Sequence, residues 1–563
     1  MCGYVGAFGS EMSSEDLAAA ARVIGHRGPD GTSVLQRGPL SIVASRLAIV
    51  PPMTDPAVLQ CPEGILVMNG EVYIPPERRE AHETDTRAVL RRLVTDGPGT
   101  TLPSLPGMFS LAWFDGNTLT LARDRFGIKP LYFARYRGGV VFASEMKAIL
   151  ALPSFSRAPD LDVLSAVRVV GHNVFEGRTP FAHVRAVEPG SALVLSVDGS
   201  QQSYLFADRP LFSAREQDTR SNEIAERVEL LLSNAVRRTM LHDPCDKAMF
   251  FSGGLDSTLL LDMAREHGAV TAFVLTDRED AEDLHEARKA ASALDVPLTE
   301  VKIGSAELAA EVLHYAWHFE RPICDGVFDL FGGVAFHALA RVVSRSTKVA
   351  LCGEGADELF LGYHRVHMKP ELARSLLAER IKEHATPPVR QWLEEKGLVS
   401  DNNGPLSDSL RRLAMRQGLS EYHLPSVDCS GMAFGLEVRP PFLDEDLVSF
   451  VSGLPEDALL DRDGNWTKLP LRSIAKRRLG RMGLDRVWIR RKRAMPTAVE
   501  KAAEGLCELL GVDQPTRPGC LTLGALMEAL FWYLHVDPGC TEPPGFTLAE
   551  FAEDLGARGM KSW

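Results

Sequence analysis

In the first 205 residues the hydrophobic positions fall into short runs separated by glycine and proline. Leu40-Ser-Ile-Val-Ala44, Ile65-Leu-Val-Met68, Phe109-Ser-Leu-Ala-Trp113 and Ala192-Leu-Val-Leu-Ser196 are examples, and runs this short with this punctuation predict strands. A β-dominated half is expected. The polar stretch Ala214-Arg-Glu-Gln-Asp-Thr-Arg-Ser221 reads as a linker, and beyond it strand patterns alternate with helical ones. Lys247-Ala-Met-Phe-Phe251, Val270-Thr-Ala-Phe-Val-Leu275 and Lys348-Val-Ala-Leu-Cys352 are candidate parallel strands of an α/β half. Near the end, Leu521 to Trp532 has the spacing of an amphipathic helix that docks on the body or on a second subunit. The expected division is a domain at 1–205, a second at 220–505 and a helical extension at 506–563.

A chain of 563 residues with 45% hydrophobic content can bury two or three sizeable cores. Its 62 basic and 75 acidic residues give a formal charge of −13 with no dominant basic block, which argues against nucleic acid or an anionic membrane as a partner. Small solutes are the expected partners. Nine cysteines without CxxC pairs or histidine-spaced clusters suggest neither structural zinc nor a disulfide framework, so a reducing cytoplasm is the expected location. There is no charged segment leading into an apolar stretch at the start and no run of about 18 apolar residues, which argues against secretion and membrane spanning.

Three strings carry candidate chemistry. The first is the opening Met1-Cys2-Gly3-Tyr4-Val5-Gly6. Removing Met1 would place a thiol and an α-amine on one residue, and an amine titrating near pH ~8 can take a thiol proton when held in place. A small second residue also simply permits methionine removal. The second string, Phe251-Ser252-Gly253-Gly254-Leu255-Asp256-Ser257, follows an apolar strand and precedes Thr258 to Ala264, which reads as a helix ended by Gly268. Two glycines let the backbone approach an anion, and a helix N-terminus supplies unpaired N–H groups, so the string reads as a pyrophosphate cradle. No lysine follows the glycines, which excludes the GxxxxGK[ST] loop. The third string is Gly353-Glu354-Gly355-Ala356-Asp357-Glu358-Leu359-Phe360, also after an apolar strand. Its carboxylates would sit with Asp256 at the carboxyl edge of one sheet, where open α/β sheets bind ligands.

The second and third strings together resemble those of the asparagine synthetase family, whose members adenylate a carboxylate and release pyrophosphate. The N-terminal strings His26-Arg27-Gly28-Pro29-Asp30-Gly31, Arg46-Leu47-Ala48-Ile49-Val50, Asn69-Gly70-Glu71-Val72-Tyr73, Arg123 to Tyr132 and Phe142 to Lys147 are similar to those of glutamine amidotransferase domains with an N-terminal cysteine. The fold class this implies is α+β and α/β: an Ntn-hydrolase-like sandwich of β-sheets covered by helices, followed by a doubly wound parallel sheet of the ATP-pyrophosphatase type.

By the same resemblance Cys2 is the nucleophile, and the Asn69 side chain with the Gly70 N–H forms the oxyanion hole, each donor worth roughly 3 kcal/mol. Arg46, Ile49, Val50, Asn69, Glu71 and Asp85 would bind glutamine, Arg46 clamping its carboxylate and Asp85 its ammonium. Phe250, Ser252, Gly253, Gly254, Asp256, Ser257, Val274, Gly353 and Glu354 would bind ATP, and Asp256 and Asp357 would hold Mg²⁺. Glu354 and Lys468 would act at the adenylation centre, with Lys492 as the alternative lysine. The implied reaction attaches AMP to a carboxylic acid and then displaces it with ammonia drawn from glutamine through an internal passage.

Several positions depart from the family pattern: Arg87 for glutamate, Pro51 for aspartate, Cys352 for serine, Leu361 for glycine and Pro440 for valine. Relatives that close a β-lactam carry tyrosine in place of Glu354 and usually lack the cysteine, so external ammonia is the better reading. Aspartate is the expected acceptor. Another carboxylic acid in a specialised pathway, a non-catalytic glutamine or nucleotide sensor, and a homodimeric assembly stay open.

Overall fold

Two antiparallel sheets of six strands face each other in the N-terminal half of the computed structural model. The structure describes residues 2–208, 221–323, 328–363, 370–398, 412–461, 466–490, 499–510, 523–536, 540 and 545–557, apart from 11, 52, 76–78, 81, 82 and 397. The linker read at 214–221 lies outside these residues except for Ser221. The first sheet runs Arg185–Ala186, Tyr132–Tyr136, Gly139–Ala143, Cys2–Phe8, Leu40–Arg46 and Gly31–Arg37 from edge to edge. The second runs Gln201–Leu205, Ser191–Ser196, Thr118–Arg123, Gly107–Phe114, Gly64–Val72 and Val58–Cys61.

The period-two alternation of these strands builds the layers. Tyr4, Phe8, Ile42 and Ala44 of the first sheet meet Ile65, Val67, Ala112 and Phe114 of the second to form the inner core. The intervening Val5, Ala7 and Val43 turn outward against Leu17 and Ala20 of the helix Ser14–Val23. Leu66, Met68, Leu111 and Trp113 turn outward against Val89 and Leu93 of the helix Asp85–Thr101. Helices therefore cover a sandwich whose strands are apolar on both faces, which is why the sequence shows runs rather than clean alternation. Each fully enclosed Leu, Ile or Phe contributes about 1.5–3 kcal/mol through burial.

The C-terminal half is built on a parallel sheet in the order Leu298–Lys302, Val270–Thr276, Lys247–Phe250, Val349–Leu351 and Glu437–Arg439. Met249, Ala272 and Val274 pack into one apolar layer, while Ala248, Phe250, Phe273 and Leu275 pack into the other. The chain steps outward from Lys247–Phe250 to one edge and then resumes at Val349–Leu351 on the other side of that same strand. The loops after these two strands flank the topological switch point, the crevice where sheets of this kind bind ligands.

One helix differs from its sequence reading. It spans Leu255–Ala264 with Gly254 as N-cap, so Leu255, Asp256 and Ser257 form its first turn instead of preceding it. Gly253, at φ +67, makes this tight entry possible, and a Cβ there would come 2.7 Å from Ala287 N. Near the C-terminus, the helix Leu523–Phe531 docks on the body: Leu526 and Leu530 join the layer over the helix Ser305–Phe319, and Phe531 lies 5.9 Å from Phe181 of the N-terminal half. Among the described residues no helix is long and apolar enough to cross a membrane.

Candidate active site

Strand Cys2–Phe8 pairs with Leu40–Arg46 so that Cys2 stands opposite Arg46. The side chain of Cys2 lies outside the described residues. Beside this strand end a cleft is lined by Arg46, Ile49, Val50, Asp55, Gly70, Glu71, Thr84 and Asp85. Four sequence segments meet here, and of the expected glutamine ligands Arg46, Ile49, Val50, Glu71 and Asp85 line the cleft. Asn69, in the adjoining strand Gly64–Val72, is fully buried, and neither Oδ1 nor Nδ2 of its amide has a hydrogen-bond partner among the described residues. Gly70 has φ +126, and a Cβ there would lie 2.0 Å from Met108 O, so only glycine brings the backbone this close to the neighbouring strand.

Each charged group of the cleft has a defined partner. Arg46 donates through Nη1 to the carbonyl oxygens of Met53 and Asp55, which aims the guanidinium along the cleft wall. Asp85 accepts from Val72 N at 3.0 Å and Thr86 N at 2.9 Å, and His242 Nε2 of the C-terminal half stands 3.8 Å away. Burial would push the Asp85 carboxyl up, but His242 and the Val72 N–H together hold it below the ordinary range. Glu71 lines the cleft as expected, yet both of its carboxylate oxygens accept from Arg439, at 2.6 and 2.7 Å. Its charge is committed across the domain boundary.

At the switch point, Lys468 Nζ lies 2.6 Å from Asp256 Oδ2 and 2.7 Å from Asp357 Oδ1. Asp256 comes from the first turn after one strand, Asp357 from the helix Ala356–Leu359 after its neighbour, and Lys468 caps the helix Leu469–Leu479. The lysine is held at φ +58, an uncommon conformation for a residue with a Cβ, of the kind that persists where surroundings over-determine it. Gly362 permits the approach, since a Cβ there would lie 1.8 Å from Asp357 Oδ1 and 2.2 Å from Lys468 Cε. Ser252 and Ser257 tie the glycine loop to itself through hydroxyls 3.1 Å apart. Gly353 and Glu354 follow Val349–Leu351, and Glu354 Oε2 is 3.7 Å from His423 Nδ1. Lys492 lies outside the described residues.

Two expected nucleotide ligands are placed differently from a side-chain contact. Phe250 and Val274 are buried in the two opposite layers flanking the sheet, so only their backbones can face the crevice. Leu361 occupies φ +57 and is buried; it takes the left-handed conformation that glycine adopts without strain. Cys352 is buried as well, and burial pushes its thiol far up, so it is inert beside the site.

The two halves of the chain are joined by buried ion pairs. Arg27 bridges Glu145 and Asp428, both at 2.9 Å, Lys129 bridges Asp428 at 3.0 Å and Glu437 at 2.5 Å, and Arg439 bridges Glu71 and Asp243. Sequence reasoning did not find Asp55, His242 or His423. The only signal for Asp55 was the unusual Arg87, which forms a forked pair with it at 2.7–2.9 Å.

A cleft lined by Arg46 and Asp85 and a crevice beside a glycine turn stand in one chain, and the family models that match its two halves give the class, an ATP-dependent glutamine amidotransferase. The chain belongs to the asparagine synthase family: a family model described as asparagine synthase matches residues 227–512, and one described as a glutamine amidotransferase domain matches residues 1–205. It is 26% identical over 553 residues to asparagine synthetase (glutamine-hydrolyzing) 1 of Bacillus subtilis, with 84% of each chain covered. It is 26% identical over 522 residues to asparagine synthetase (glutamine-hydrolyzing) 2 of the same organism, covering 84% of this chain and 69% of that one. It is also 29% identical over 385 residues to amidase chyE of Penicillium rubens, covering 62% of this chain and 55% of that one. The protein is a glutamine-hydrolysing ligase that amidates with the use of ATP.

Proposed function

We propose that the acceptor is aspartate and the product asparagine. The observation that carries the adenylation reading is the Lys468 ammonium seated between Asp256 and Asp357 at the switch point. A cation there offsets charge where the α-phosphate is attacked. Asp256 and Asp357 are oxygen ligands of the kind Mg²⁺ prefers, and Asp256 Oδ1 is buried without a hydrogen-bond partner among the described residues, so the residues fit the ion. Bound there, Mg²⁺ would neutralise phosphate charge.

In the other cleft the Cys2 thiolate attacks the glutamine amide, Asn69 and the Gly70 N–H receive the developing oxyanion, Arg46 holds the carboxylate and Asp85 the ammonium. Water then cleaves the thioester. Ammonia, shielded from protonation by solvent, attacks the acyl-adenylate beside Glu354 and displaces AMP. A second reading, a different carboxylic acid, is favoured by Leu361 and Cys352, two buried residues beside the adenylation loop that depart from the family pattern.

Pyrophosphate release with ATP, Mg²⁺ and glutamine, measured across a panel of carboxylic acids, tests the reading. Release stimulated by aspartate with asparagine formed supports it; stimulation by another acid alone supports the second; no stimulation by any acid sinks both. Cys2→Ala is expected to abolish synthesis from glutamine and to leave synthesis from ammonium salts intact, and residual glutaminase activity would remove Cys2 as the nucleophile.

A further inference from the structure

His423 is the last residue of a π-helical segment, Ala414–His423, that runs directly into the helix Leu424–Met432. Such segments are uncommon and recur at functional sites. Here it carries an imidazole between two glutamates of the loop and helix after Val349–Leu351. His423 Nδ1 lies 3.7 Å from Glu354 Oε2, and Nε2 lies 3.6 Å from Glu358 Oε1 and 3.2 Å from Tyr363 Oη. Tyr363 donates to Glu358 at 2.5 Å.

The single hydroxyl hydrogen of Tyr363 orients this cluster. Tyr363 has one hydroxyl hydrogen and gives it to the buried Glu358, so the phenol oxygen accepts from His423. Nε2 therefore carries a hydrogen, and Nδ1 is the ring nitrogen turned toward Glu354. Tyr422, on the same segment, lies 5.3 Å from the ring, and His172 of the N-terminal half is within electrostatic reach of it. Burial lowers His172 to about 4, so it adds no positive charge there at neutral pH.

We propose that His423 is a positioning residue that acts through Glu354, its Nδ1 facing that carboxylate and taking on the proton that Glu354 removes from the attacking ammonia. The ammonia nitrogen bonds to the acyl carbon, and the bond from that carbon to the AMP oxygen breaks with its electron pair leaving on AMP. One N–H proton passes to Glu354 and then to Nδ1, producing an imidazolium between two glutamates whose charge it offsets. The side chain is 32% exposed, which gives that proton an exit to water.

This inference rests on the proposed function, and the two can fail separately. His423→Ala and His423→Gln in the full-length chain are assayed with ATP, Mg²⁺, ammonium chloride and the acid that stimulates pyrophosphate release in the parent. Exchange of labelled pyrophosphate into ATP is expected at the parental level in both, while amide formation falls about 100-fold, the usual worth of a positioned proton acceptor. Hydroxylamine, whose adduct surrenders its proton more readily, is expected to restore acyl transfer, and retained glutaminase activity shows that the chain is folded. Parental amide formation in either variant, or an equal loss of pyrophosphate exchange and hydroxylamine transfer, overturns the role of His423. A parent that adenylates no acid overturns the proposed function and this inference together, before any variant is made.

Discussion

Asn69 presents both atoms of a side-chain amide to a buried space without a partner among the described residues. Leaving such groups unsatisfied costs about 1–3 kcal/mol, so the amide adds nothing to stability as it stands, which fits its proposed place in the oxyanion hole. Asn69→Ala is therefore expected to lower glutamine hydrolysis by about 10²–10³-fold while leaving the thermal midpoint nearly unchanged and synthesis from ammonium salts intact. A large drop in the midpoint would show that the amide serves the fold. Asn69, Arg46, Asp85, Asp256 and Lys468 could be picked out of the sequence because each sits in a short distinctive string. Asp55, His242 and His423 could not. Their roles exist only once chain-distant segments meet, as Asp55 meets Arg87 and His242 meets Asp85.

The segment joining the helix Ala356–Leu359 to Tyr363 shows how a connection, and not only a side chain, shapes a site. Leu361 at φ +57 turns the chain, and Gly362 then passes so close to Asp357 and Lys468 that no Cβ fits. Gly362→Ala is expected to separate the lysine from the aspartate. Overpacking of this kind costs about 1–3 kcal/mol, so acid-dependent pyrophosphate release should fall roughly tenfold or more while glutaminase activity persists. Unchanged release would mean that the pairing has no part in adenylation. At this level the sequence was informative about existence and less so about limits. The runs at 40–44, 65–68, 109–113 and 192–196 all lie within observed strands, because alternation and turn punctuation are local properties. The start of Leu255–Ala264 was misread by three residues, since a glycine N-cap leaves little sequence signal. The π-helical segment that ends at His423 was not foreseen.

The two halves are held together where motifs from each bury their charges in one another, and this makes the assembly sensitive to protons. Lys129 serves two carboxylates, Asp428 and Glu437, and Arg439 serves Glu71 and Asp243. Removing one member of a buried set leaves an uncompensated charge and costs about 3–5 kcal/mol. Glu437 is fully buried beside Glu71 and Asp428, and burial pushes its carboxyl up to about 7 from the ordinary 4.5. Between those limits the folded chain retains a proton that the unfolded chain has lost. Stability from this group is therefore complete below about 4.5 and is lost as pH rises through 7. Glu437→Gln keeps the shape and the neutral state, so the thermal midpoint is expected to lose the decline that this carboxyl imposes from pH 4.5 to 7, with the variant gaining on the parent most at the alkaline end. The comparison is a pair of melting series across that range, followed through the first unfolding transition. Parallel curves for the two proteins would place the proton elsewhere in the interface, and a variant that loses ground with rising pH would mean that Lys129 keeps Glu437 ionised throughout.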